Sequence, residues 1–597
     1  MSLETYISEF SKYVIAIVMI LYVVNCYTAF LHKSEEKCKG VYARQTILMF
    51  AFHFSSFMVI CFETQEVSYL IFYAFQQIVL YVAIMLFKSF YPKTNRLIIN
   101  NMCMLLSISF VILTRLDYSK AIKQFAISSG SLAVGLIVPF LVKNLKILKR
   151  LKWIYAGAGV AALGIMMVLG QTTYGSKISY SIAGISFSPA EFVKIIFAFF
   201  IASALYESTT FIDVLTSGVF AALHVIIQVA NKDLGSALIF FVVYICVLFV
   251  ATRNPIYLAL GIGAGSGAAY LAYRFFAHVQ VRVQAWQDPW SVIDSAGYQI
   301  TQSLFGITSG GYFGLGLYKG APNSIPFVED DFIFSALSEE FGIIFAVCLI
   351  LICLNCFISF AKISLALNDK FYQLTSFGLA VTYIFQVFLT IGGGSKFIPL
   401  TGVTLPLVSY GGTSVLTTIL MFTIIEGMYM LRDTQEPQEI VKPKKHGKTS
   451  EYEEARKYEK SRRYKESQSY EGPRRYEKSR RYEEPRRYEE PRRYEAPQRY
   501  EEPRRYEGPQ RYEGSERYKE SMRNDRMEYY EDEIFDNSMD ESDDDMEFLH
   551  GFTVPIDNNL VNQLANEEDE YSFDDFDFSK EILYNEEEYE KDQRNKN

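Results

Sequence analysis

Residues 331–358 read DFIFSALSEEFGIIFAVCLILICLNCFI, and from Phe341 to Ile358 the run holds no charged residue. A bilayer core ~30 Å thick takes about 20 apolar residues of helix. The stretch therefore reads as one membrane span, entered through the acidic triplet Glu329-Asp330-Asp331 and carrying Glu339 and Glu340 further in. Worked outward, the same ruler places spans near 12–31, 45–63, 68–88, 97–115, 123–142, 153–171, 190–206, 211–230, 235–251, 256–276, 331–358, 372–393 and 404–430. Thirteen such helices define an all-α polytopic membrane protein.

The 597 residues are 50% hydrophobic and 15% aromatic, with a mean hydropathy of +0.09. The last quarter is almost free of apolar runs, so the apolar residues crowd into the first part at a density that suits lipid. That excludes a soluble enzyme for residues 1 to 432. Net charge, −9 in all, divides unevenly: residues 525–597 carry −21, which leaves +12 on residues 1–524. The 19-residue segment from Tyr13 to Leu31 has no charge and is long for a signal, with no basic n-region before it and no small-residue cleavage site after it. It is expected to stay as a membrane helix rather than leave as a signal.

Lys and Arg favour cytoplasmic loops. Lys33, Lys37, Lys39 and Arg44, then Lys88, Lys93 and Arg96, then Lys143, Lys146, Lys149, Arg150 and Lys152 all fall on one side of the thirteen spans. The connection from Glu63 to Ser68 has no positive charge and falls on the other. This predicts an N-terminus outside, a C-terminal tail in the cytoplasm, and an exterior loop over 277–330. The eight cysteines lie mostly inside apolar runs and read as small buried hydrophobes, the Cys353–Cys356 CxxC included.

The tail divides into a basic linker, 433–524, and an acidic end, 525–597. In the linker, twelve tyrosines recur every six residues from Tyr452 to Tyr518, in units such as Arg486-Arg487-Tyr488-Glu489-Glu490-Pro491. Six matches no helical period and Pro interrupts helices, so a disordered tail is expected. It is suited to anionic lipid or to cytoplasmic protein partners; no nucleic-acid partner is expected.

Ionisable residues inside spans are costly and point to function. Glu191 and Lys194 share a helical face, Lys232 and Asp233 interrupt apolar text, and Glu426 lies near the end of the last span. As a set they predict a polar cavity. The glycine-rich exterior loop, including Ser309-Gly310-Gly311, Gly314 and Gly316, suits close backbone approach or plain turns, whereas Gly261, Gly263, Gly265 and Gly267 suit close helix packing. Adjacent carboxylates at the edge of lipid raise one another's pKa, which suits a base for a hydroxyl proton, while nearby cations suit an anionic leaving group.

At these residues the sequence resembles the SEDS family, the FtsW/RodA/SpoVE-like shape, elongation, division and sporulation proteins. Ser188-Pro189-Ala190-Glu191-Phe192-Val193-Lys194 resembles its QPSEFxK, and Lys232-Asp233-Leu234-Gly235-Ser236-Ala237 its QPDLGTA. Gly297-Tyr298-Gln299 through Gln302-Ser303 and on to Gly316 is similar to GYQxxQS...SGGxxGxG. Pro326 to Phe334 with Glu339-Glu340-Phe341-Gly342 is similar to PxxxTDFIFxxxxEExG, and Pro399 to Ser414 to PxTGxxLPxxSYGGSS. Phe327 stands where the family has Glu and Asp330 where it has Thr; the RW pair before QPSE is absent, and Gln386 is not followed by the family's Asn.

The resemblance implies a ten-helix core over 97–432, with about three extra N-terminal transmembrane helices in 1–96. It implies a peptidoglycan glycosyltransferase of the cell membrane that polymerises lipid II beside a class B penicillin-binding protein, in division, elongation or sporulation. Asp331 falls on the catalytic position, with Asp330 as a competing base. Arg282, Glu191, Lys194, Lys319, Asp330, Glu340, Lys396 and Ser409 are expected to bind substrate, Arg282, Lys319 or Lys396 balancing the pyrophosphate. A divalent cation is compatible, without a metal-ligand set in the chain. A lipid II flippase, or a scaffold of the wall-synthesis complex, is the competing expectation.

Overall fold

The computed structural model describes residues 3–32, 35–173, 176–182 and 185–432. The repeat linker 433–524, the acidic end 525–597 and the expectations attached to them lie outside the described residues. Three helices come first, α1 (Leu3–Leu31), α2 (Glu35–Thr64) and α3 (Val67–Phe90). They are followed by α4 (Arg96–Leu116), α5 (Tyr118–Gly135), α6 (Val138–Asn144) and α7 (Lys152–Leu169). After strands β1 (Gln171–Thr173), β2 (Ser176–Ile182) and β3 (Ile185–Phe187) come α8 (Pro189–Leu205), α9 (Phe211–Ala230), α10 (Leu234–Thr252) and α11 (Pro255–Phe275). The remainder is α12 (Ala277–Gln287), α13 (Tyr298–Ser309), α14 (Ile333–Ala366), α15 (Lys370–Gly394) and α16 (Gly412–Arg432).

Among the described residues, twelve helical segments are long and apolar enough to cross a membrane. The other predicted span, 190–206, is α8, which at 17 residues is shorter than those twelve. The span predicted over 123–142 is two helices meeting at Leu136–Ile137, where Pro139 opens the second turn-side of the break. A small antiparallel sheet, ordered β1-β2-β3, adds to the all-helical expectation. The last span was expected from 404, but α16 starts at Gly412. Thr404 to Gly411 is apolar text without helix, because Leu407 takes a left-handed φ of 65° and Pro406 has no N–H to donate. The loop 277–330, expected on the exterior, contains two α-helices of its own, α12 and α13.

Every residue of α4 from Leu97 to Thr114 is buried. It packs against α2 and α3 on one side and α5, α14 and α16 on the other. A buried amide network joins the N-terminal helices to this centre. Tyr22 and Cys26 donate to Asn101 Oδ1 at 3.0 and 3.3 Å, and Asn101 Nδ2 donates to Asn355 Oδ1 at 2.8 Å. Asn355 Nδ2 returns to the Cys26 carbonyl at 3.2 Å. In an apolar medium such groups need partners, and each interhelical bond is worth ~1 kcal/mol. Gly261 and Gly265 of α11 seat against Ile245 and Phe241 of α10, whereas Gly263 and Gly267 face open space.

The decisive break lies in α14. Gly342 has φ 83° and ψ 173°, which only glycine takes without strain, and divides the helix into a short head, 333–341, and a long shaft. The chain at 311–316 lies across this break. Leu315 N and Gly316 N donate to Glu339 O and Glu340 O, both at 3.0 Å, and Ile343 N donates to Gly311 O at 2.9 Å. Asp331 stands at the free end of the head.

Candidate active site

The acidic triplet is held from three directions. Phe327, at φ 58°, turns the chain so that the Asp330 and Asp331 amides both donate to its carbonyl, at 3.1 and 3.2 Å. Ser409 Oγ accepts from Leu405 N at 2.9 Å and donates to the Asp330 carbonyl at 2.5 Å, while Tyr410 N donates to the Glu329 carbonyl at 2.8 Å. Gln124 of α5 locks the same loop, donating to Ser409 O at 2.9 Å and accepting from Gly411 N at 3.3 Å. Lys120 pairs with Glu329. Of the three acids, Glu329 is thus neutralised, and among the described residues the carboxylates of Asp330 and Asp331 have no ion-pair partner.

Both open onto a cavity of about 880 Å³. Its wall also carries Glu191, Asp233 and the cations Lys123, Lys232 and Arg282. Arg282 Nη1, from α12, donates to the Leu400 and Thr401 carbonyls, both at 3.3 Å, and Trp286 Nε1 to the Lys396 carbonyl at 3.2 Å. Asp233 caps α10 through Ser236 N at 2.9 Å and takes a bond from Gln228 at 3.1 Å. On α8, Lys194 is buried at 2% exposure. It donates to Glu191 Oε1 at 2.7 Å and Gln386 Oε1 at 3.0 Å, and Gln386 Nε2 reaches the Thr404 carbonyl at 3.1 Å. A chain of polar contacts therefore ties α8 to the loop that faces the acids.

Burial pushes the Asp331 carboxyl up to about 6, against the pull of the Arg282 charge. Asp330 is raised to about 7, by burial first and then by the charges of Asp331 and Glu329. The charge of Asp331 helps keep the proton on its neighbour. Arg282 is held below its ordinary value by burial, with Asp331 and Asp233 opposing, and His278 is lowered by burial and by Arg282 and Lys232.

The expected site residues separate into groups. Asp330, Asp331, Arg282 and Glu191 line the cavity, and Lys194 and Ser409 stand behind its wall. Lys319 is elsewhere, 2.7 Å from Glu63 of α2. Glu340 is fully buried against Arg115 at 2.7 Å, and Lys396 contributes a carbonyl behind the wall rather than a charge within it. Lys232, Gln299 and Tyr410, which stood within the quoted motifs but outside the expected site residues, and Lys123, which was not noted at all, also line the cavity. Lys123 opens the predicted fifth span, where a Lys reads as an interfacial charge. Among the described residues no three His, Cys, Asp or Glu side chains gather to hold a metal.

A bundle of apolar helices long enough to cross a membrane, with a polar cavity lined by acids and cations, defines a multi-pass membrane protein. The FTSW_RODA_SPOVE model, described as cell cycle protein, matches residues 93–433, more than half of the chain, and the chain belongs to that family. The peptidoglycan glycosyltransferase RodA of Mycobacterium leprae (strain TN) is 30% identical over 364 residues, covering 57% of this chain and 78% of its own. The probable peptidoglycan glycosyltransferase FtsW of Bacillus subtilis (strain 168) is 27% identical over 340 residues, 54% of this chain and 84% of its own. A solved structure described as "Structural coordination of polymerization and crosslinking by a peptidoglycan synthase complex" shares the fold. Its TM-score is 0.50 at 24% identity, covering 57% of this chain and 99% of that one.

Proposed function

We propose that this membrane enzyme is a peptidoglycan glycosyltransferase that polymerises lipid II at the outer face of the cell membrane, with Asp331 as its general base. The activity is the one its curated relatives are named for. One observation carries the assignment of the base: of the two triplet acids that line the 880 Å³ cavity without an ion-pair partner among the described residues, Asp331 is the one on which the Arg282 charge acts. Such a volume is that of sites that enclose small-molecule groups, roughly 300–1,000 Å³.

In the reaction, Asp331 takes the proton of the acceptor sugar's 4-hydroxyl as that oxygen bonds to the donor anomeric carbon. The bond from this carbon to the pyrophosphate oxygen breaks, the pyrophosphate leaves with the electron pair, and the centre inverts. A base raised to about 6 is ionised at neutral pH yet basic enough to accept the proton. Arg282, Lys232 and Lys123 line the same cavity and stabilise the departing diphosphate. Glu191, Lys194 and Ser409 hold the cavity wall and the acidic loop in place.

The positive-inside count supports an N-terminus outside and a C-terminal tail in the cytoplasm. A class B penicillin-binding protein is the partner suggested by likeness to a synthase complex. A flippase needs binding charge near mid-membrane, but Lys194 is already committed to Glu191 and Gln386. The test is full-length protein with its partner and labelled lipid II. Wild type should yield glycan strands and Asp331→Ala none; undiminished product from the variant removes Asp331 from the mechanism.

A further inference from the structure

We propose that the three N-terminal helices position the active-site loop, Tyr69 of α3 and Glu63 of α2 bracing the two segments that hold Asp331. The proposal rests on the reading of Asp331 as the base. Two routes run from these helices to the acid. In the first, the Tyr69 ring lies 4.4 Å from that of Tyr118, Phe72 meets Tyr118 edge-on at 5.4 Å, and Tyr118 Oη donates to the Ser68 carbonyl at 3.3 Å. Tyr118 opens α5. Two residues on, Lys120 pairs with Glu329, which adjoins Asp330 and Asp331.

In the second route, Lys319 Nζ donates to Glu63 Oε1 at 2.7 Å. The carbonyl of the next residue, Gly320, accepts from Arg115 Nη2 at 3.2 Å, and Ala321 N donates to Glu339 Oε1 at 2.7 Å. Arg115 also holds Glu340. Residues 319–321 are in this way fastened to the half-helix 333–341, whose free end carries Asp331. α1 and α2 add to the contact, Tyr13 lying 5.0 Å from Phe313 and Phe52 5.7 Å from Phe345.

An exposed ion pair is weak alone, and so is one ring contact. Their placement is what matters: α1 and α2 touch the chain that lies beside the break at Gly342, and α3 touches Tyr118, two residues from the Lys120 that pairs with the acidic triplet. A half-helix severed from its shaft depends on such side contacts for its position. Tyr69 and Glu63 are positioning residues that act through Tyr118 and Lys319.

The experiment uses full-length protein with its partner, as wild type, Tyr69→Ala, Tyr69→Phe, Glu63→Gln and Asp331→Asn. Amide hydrogen exchange over residues 327–341 is measured beside kcat and KM on lipid II. Tyr69→Ala and Glu63→Gln should exchange about three- to tenfold faster over 327–341, and kcat should fall by a like factor while KM stays within about twofold. Tyr69→Phe, which keeps the ring, should match wild type. Unchanged exchange over 327–341 in both variants overturns the proposal. Faster exchange throughout the bundle with a lowered melting temperature overturns it as well, by showing a general loss of stability. Should Tyr69→Ala fail to fold, the swap Glu63→Lys with Lys319→Glu decides: restored wild-type exchange supports the brace, and exchange as fast as in Glu63→Gln refutes it. Exchange does not depend on catalysis, so an active Asp331→Asn would remove the base while leaving the positioning result to stand by itself.

Discussion

Replacing Arg282 by Gln tests how the cavity sets the basicity of Asp331. The Asp331 carboxyl sits at about 6 because burial raises it and the Arg282 charge draws it down. An opposite charge in contact moves a carboxyl by about 1–3 pH units. Arg282 donates to the Leu400 and Thr401 carbonyls instead of touching Asp331, so about one pH unit is expected from its loss. The ionised fraction of Asp331 at pH 6 then falls from about one half to about one tenth, roughly a fivefold loss beyond any change seen at pH 8. Glutamine keeps an N–H donor for the two carbonyls, which leaves the loop anchored. The assay is kcat/KM for lipid II polymerisation from pH 5 to 9. The acid limb should move from about 6 to about 7 in Arg282→Gln and stay near 6 in Arg282→Lys. Loss of the diphosphate cation lowers the whole profile but does not shift its limb. A limb that stays in place, or moves to lower pH, refutes the coupling.

The same carboxyl makes a prediction about stability. A group whose folded value is raised contributes stability that is fully present below its unfolded value, near 3.8, and is lost as pH rises through about 6. Asp331→Asn should therefore be more stable than wild type at pH 7.5, by up to about 3 kcal/mol, and no different near pH 4, as thermal melts at the two pH values will report. At the other end of the half-helix, Arg115→Met leaves Glu340 buried with no cation beside it. That should cost about 3–5 kcal/mol, and Arg115→Met with Glu340→Met should recover much of it in the same melts.

The membrane spans were legible because an apolar run of bilayer length has few other uses. What stayed hidden was backbone geometry that apolar text does not encode. The letters from Thr404 to Val408 read as the start of a helix, yet they form the loop that pins Asp330 through Ser409. The break at Gly342 is one glycine within a continuous apolar run. In the site, Asp330, Asp331 and Arg282 stood out as charges beside lipid, and they do face one cavity. Lys319 and Glu340 looked equivalent to them in sequence. Their partners, Glu63 and Arg115, lie 256 and 225 residues away, and only the fold reveals that these charges are already matched. Lys232 and Lys123 reach the cavity from the ends of other helices, where basic residues usually mark no more than an interface.

Asp330 and Asp331 share the cavity, and separating them is the most direct measurement. Single-turnover polymerisation of labelled lipid II by full-length protein with its partner should be abolished in Asp331→Asn. In Asp330→Asn it should persist, with an acid limb still near 6. Strand synthesis that survives in Asp331→Asn and vanishes in Asp330→Asn would contradict the assignment of the base.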